Sequence, residues 1–95
     1  MRKITKQSVE SFLNSTNFKG GNMRVLIVEN MTLLQLHGNT IAKKIDGKMF
    51  ITNCGWFSNT TKERLNGLPN VSIYQKNFNW YLNGNLWDGN EILIG

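Results

Sequence analysis

The chain reads as a small α+β domain built on an antiparallel sheet, and three observations predict it. Apolar and β-branched stretches follow one another across the hairpin dipeptides Gly38-Asn39, Asp46-Gly47 and Asn83-Gly84. Helical spacing occurs only in residues 5–14 and 60–66. Strands joined by two-residue loops must pair antiparallel, because a parallel crossover needs about a dozen residues or more. The expected order is one N-terminal helix, a meander of about four strands, one short helix, and a C-terminal hairpin.

The first helix is expected over 5–14. Thr5 is its cap, Ile4 and Val9 stand at staple spacing, and Val9, Phe12 and Leu13 form one apolar face. Residues 14–22 are polar and contain Gly20-Gly21, so they read as a loop. Strands follow at 23–28, 31–37, 40–45 and 48–53. The turns between them are Glu29-Asn30, Gly38-Asn39 as type II′, and Asp46-Gly47 as type I′. These loops place Leu36 opposite Ile41, Leu34 opposite Lys43, and Lys43 opposite Phe50. One face then carries Leu34, Leu36, Ile41, Ile45 and Phe50 with Lys43 and Lys48, and is expected to be the core. Lys43 would reach the rim on its aliphatic stem. The other face carries Leu33, Ala42, Met49 and Ile51 with Gln35, His37 and Lys44.

Residues 55–67 hold the second helix. Thr60 and Glu63 have the capping-box spacing, and Asn66-Gly67 terminates the helix. A helix of under two turns is not stable alone. Trp56, Phe57, Leu65 and Leu68 are its expected anchors. After Leu68-Pro69-Asn70, strands are expected at 71–76 and 79–82 around Asn77-Phe78, which puts Phe78 at an exposed hairpin tip. Leu86-Trp87-Asp88 reads as a last strand or a docked tail, and Ile92, Leu93 and Ile94 need something to pack on. The organisation is a single domain over 1–95: helix and loop at 1–22, sheet body at 23–83, and a tail at 84–95.

Composition narrows the function. The 95 residues carry a net charge of +5, with a pI near 9.7. All 11 cations lie within residues 1–83, opposed there only by Glu10, Glu29, Asp46 and Glu63. Such a body favours polyanions through phosphate neutralisation. Cys54 is the only cysteine and His37 the only histidine, so neither an internal disulfide nor a cysteine-based zinc site is expected. No nucleophile, base and orienter can be assembled, so the chain is expected to be no enzyme, with no cofactor and no metal. No apolar run follows the charged start, so no secretory signal and no membrane association is expected.

Three motifs carry a resemblance: Leu34-Gln35-Leu36-His37-Gly38-Asn39-Thr40-Ile41-Ala42, the Gly55–Gly67 stretch, and Trp80-Tyr81-Leu82-Asn83-Gly84. Over roughly residues 30–85 the chain resembles a family of small uncharacterised tailed-bacteriophage proteins that share an L-x-L-H-G-N-x-I-A hairpin, a G-W-x-x-N-T-T-x-x-R-L-N-G helix and a W-Y-L-N-G strand. The resemblance implies a phage origin and brings no activity with it. The host cytoplasm is then the expected location, or else the virion.

Two functions compete. In the first, the chain binds nucleic acid, double-stranded DNA before RNA. Asn59, Thr60 and Thr61 at the helix start, with Lys62 and Arg64, would hold a phosphate, or Arg64 would grip a guanine. Lys43, Lys44, Lys48 and Lys76 would widen the contact. In the second, the chain is a protein-interaction module, a phage inhibitor of a host protein or a minor virion component, with Phe78 and Trp87 as contact residues. Apolar residues on both sheet faces also allow a homodimer.

Overall fold

Two antiparallel sheets and two helices share one apolar core in the computed structural model, which describes residues 1–94. The elements are α1 (Lys3–Leu13), β1 (Phe18–Gly20), β2 (Met23–Val28), β3 (Met31–Leu36), β4 (Asn39–Ile45), β5 (Lys48–Ile51), α2 (Asn59–Leu65), β6 (Ile73–Lys76), β7 (Asn79–Leu82), β8 (Asn85–Trp87) and β9 (Ile92–Ile94). The large sheet runs β1-β2-β3-β4-β5-β9 and the small one β6-β7-β8. The α+β class and the two helices are as expected. The sheets are richer than expected. Residues 18–20, read as loop, form β1 against β2, and the tail supplies β8 to one sheet and β9 to the other.

α1 begins two residues earlier than expected, with Arg2 as its cap residue and no side-chain cap bond. Thr5 is therefore no cap but lies fully buried inside the helix. Val9 and Phe12 enter the core, whereas Leu13 stays exposed.

The hairpin between β3 and β4 corrects the expected core face. Its loop is His37-Gly38, both at positive φ, and not Gly38-Asn39. Leu36 therefore faces Asn39. A bulge then inserts Ile41, because Gln35 pairs with Thr40 and Leu34 with Ala42. The two shifts put Leu34 and Leu36 on the same side as Ala42, Lys44, Met49 and Ile51, against α1. Ile45, Phe50, Lys43 and Lys48 are left on the outer side. Lys43 does face Phe50, as expected. Lys44 donates a 2.7 Å hydrogen bond to the Leu13 carbonyl, so the sheet supplies the cation that the last turn of α1 lacks.

α2 starts at a different cap from the one expected. The Ser58 hydroxyl accepts from the Thr61 N–H at 3.1 Å and pairs with the Thr61 hydroxyl, while Thr60 and Glu63 do not cap each other. Ser58-x-x-Thr61 won because Glu63 is drawn sideways to α1 by Thr5. Leu65 and Leu68 anchor the helix in the core. Phe57 sets its ring edge-on to Trp80 at 5.1 Å, but Trp56 points outward.

Candidate interaction surface

The expected polyanion site comes apart at its centre. Arg64 is only 2% exposed. Its Nη1 donates to the carboxylate of Glu63 and to the Thr5 hydroxyl at 3.0 Å, and its Nη2 donates to Asn22 Oδ1 at 3.2 Å. Thr5 in turn donates to Glu63 at 2.6 Å. Arg64 is thus a clamp joining α1, α2 and the β1–β2 turn, and cannot reach a phosphate without unpairing a buried charge. Burial pushes the Glu63 carboxyl up, but hydrogen bonds from Thr5, Arg64 and the Arg2 N–H, with the Arg64 charge, outweigh that and hold it below the ordinary carboxylate value. Thr61 is also buried, its hydroxyl engaged by Ser58.

The other cations expected at that site are divided between elements, with Lys43 and Lys48 together on the outer side of the large sheet. Lys43 stands on the outer face of the large sheet, paired with Glu91 at 2.9 Å. Lys44, its chain neighbour, is on the opposite face against α1 with its ammonium over Phe12. Lys62 lies 5.9 Å from the Trp80 ring centre. Lys48 sits beside the β4–β5 turn and Lys76 at the end of β6. Asn59 is exposed and Thr60 half-buried at the start of α2. Cys54 donates its thiol to the Thr40 carbonyl at 3.0 Å, and burial of the sulfur pushes the thiol up, away from a reactive thiolate. Among the described residues no three His, Cys, Asp or Glu side chains gather as a metal site.

Residues 1–94 match the model of the Kyanoviridae Gp96 protein family. The chain belongs to that family. It is a phage protein. No curated protein and no solved structure matches it. Among the described residues, no helix is long and apolar enough to cross a membrane.

Of the two residues expected at a partner contact, Trp87 is buried, which corrects that expectation, and Phe78 is exposed. Trp87 is only 6% exposed; it packs on Trp80 at 6.2 Å and donates its indole N–H to the Asn90 carbonyl. Alternation along β8 turned it inward, with Trp80 as its cross-strand neighbour. Phe78 is 93% exposed at the tip of the β6–β7 hairpin.

The same alternation builds an outer face on the small sheet. With Ile73, Trp80, Leu82 and Trp87 facing the core, the side chains of Tyr74, Tyr81 and Leu86 line up across the small sheet. Tyr74 and Tyr81 stack at 5.1 Å with their rings 9° apart. Leu86, opposite Tyr81, is 68% exposed. Among the described residues Lys76 is the one cation on this face, and Asn79 is its cross-strand partner. The signal was there in the strand period once the hairpin register was known.

Proposed function

We propose that this phage protein is a non-enzymatic interaction module that grips a protein partner with the outer face of its small sheet. Phe78 is the protruding anchor, and Tyr74, Tyr81 and Leu86 form the bed behind it. One observation carries this reading. Among the described residues, four two-residue hairpin loops have positive φ at both positions; three end in glycine, at Gly38, Gly47 and Gly84, and the fourth ends in Phe78 at φ +68°. Glycine enters that conformation freely, whereas a bulky residue is an outlier there. Phe78 meets that cost while its ring stays almost wholly in water, which supports a gain made outside the folded chain.

The chemistry of the face favours protein over nucleic acid. Aromatic anchors with few charges are what the middle of a protein interface needs. A duplex needs several converging cations, and this face has one. Affinity capture from the phage's host tests the proposal. The wild-type chain should retain a reproducible partner that Phe78→Ser loses. Equal recovery by both chains would rule the face out.

A further inference from the structure

A second feature lies away from the small sheet's outer face. A cavity of about 350 Å³ opens between the β3–β4 turn and the segment that leads into α2. This size sits within the range of small-molecule sites, about 300–1,000 Å³. Its floor is Leu36 and Ile41, both buried. Ile41 is there because the β4 bulge turns it inward along with Ala42. The wall is polar, with Ser58 and Thr61 engaged with each other in the α2 cap. The side chains of His37, Asn39, Trp56 and Thr60 also line it, and none makes a hydrogen bond among the described residues.

The lining selects a ligand class. It contains no lysine, arginine or carboxylate. A phosphate or carboxylate inside would therefore be stripped of water without a counter-charge. A purely apolar ligand would leave the Asn39 amide and the Thr60 hydroxyl unpaired. The Asn39 amide and the Thr60 hydroxyl both give and accept hydrogen bonds. They match an edge on which donors and acceptors alternate. Trp56, 61% exposed, offers a large aromatic surface at the mouth for stacking. A neutral flat ring with a mixed hydrogen-bonding edge meets all of these demands.

We infer that this cavity binds a nucleobase. The ring stacks on Trp56 above Leu36 and Ile41, its edge faces Asn39, His37 and Thr60, and any attached phosphate stays in solvent. The base comes from a free nucleoside or from an unpaired position of a single strand.

Intrinsic fluorescence tests it. The chain has three tryptophans, and Trp80 and Trp87 are buried, so quenching by a ligand reports Trp56. Adenosine, guanosine, cytidine, uridine and thymidine are titrated separately to about 1 mM, the weak end of measurable affinity. At least one should quench saturably, and Asn39→Ala and Thr60→Val should each weaken it about tenfold, the loss of one good hydrogen bond at about 1.4 kcal/mol. Thermal melts of both variants check that they fold. A matching short homo-oligonucleotide separates the sources: tighter binding than the nucleoside marks a strand ligand, and equal or weaker binding marks a free one. Absence of saturable quenching by every nucleoside and oligonucleotide overturns the inference. So does binding that both variants leave unchanged.

Discussion

Phe78 and Arg64 carry opposite lessons at the scale of single residues. The strand alternation and the Asn77-Phe78 turn made Phe78's exposure legible. Its left-handed backbone was not legible, because Phe does not announce it. Replacing Phe78 with glycine relieves the backbone cost, less the extra freedom glycine gives the unfolded chain. Phe78→Gly should therefore raise stability by about 0.5–1 kcal/mol in urea unfolding. A loss of stability would mean the ring makes contacts within the fold. Arg64 reads from the sequence as a phosphate contact, because helix spacing alone does not say which side a short helix turns inward. Its clamp gives a pH signature. With the Glu63 carboxyl held below its ordinary value, its contribution to stability is complete above the unfolded-chain value, about pH 4.3, and disappears as pH falls through the lower folded value. Glu63→Gln should flatten that part of the acid limb. It should also cost about 3 kcal/mol near neutrality, because the buried guanidinium loses its counter-charge. Unfolding followed from pH 7 to pH 3 checks both effects.

Elements were legible where turn chemistry was unambiguous and shifted where two options competed. Asp46-Gly47 fixed the β4–β5 register as read. Gly38 could serve as first or second loop residue, and the chain uses it second, with His37 taking the first left-handed position. That choice and the bulge at Ile41 exchanged half of the expected core face for its opposite, since one residue of slip inverts a strand. The cap of α2 is a similar contest. Thr60 and Glu63 had the right spacing, but Ser58 and Thr61 hold the helix. Ser58→Ala should cost about 1 kcal/mol of stability. Thr60→Ala should stay within about 0.5 kcal/mol of wild type, as surface substitutions do. Chemical denaturation of the two variants side by side decides which residue is the cap.

Over the whole molecule, the apolar residues 92–94 signalled a segment that must pack, and they close the large sheet as β9 beside β5. The tail reaches that position by locking at Gly89. The Gly89 carbonyl accepts from the Asn53 N–H at 3.0 Å and from the Thr52 hydroxyl at 2.8 Å, and a side chain at Gly89 would overlap the Asn53 amide. Strand order was not legible, because nothing local in residues 92–94 names β5 as their neighbour. Charge was legible as a total and not as a surface. Lys43 and Lys44 are consecutive, so the pleat sends them to opposite sides of one sheet. With Arg64 inside and Lys43 paired, the chain should form no complex with duplex DNA in a low-salt gel shift. A shifted band that fades steeply as salt rises would restore the polyanion reading.

Under the proposed function, Phe78 touches a protein in the infected cell. A photo-crosslinking amino acid placed at position 78, with position 48 on the large sheet as control, tests it directly. One discrete protein adduct is expected from position 78 and none from position 48. The same adducts from both positions, or none from position 78 in cells where the chain is abundant and folded, would contradict it.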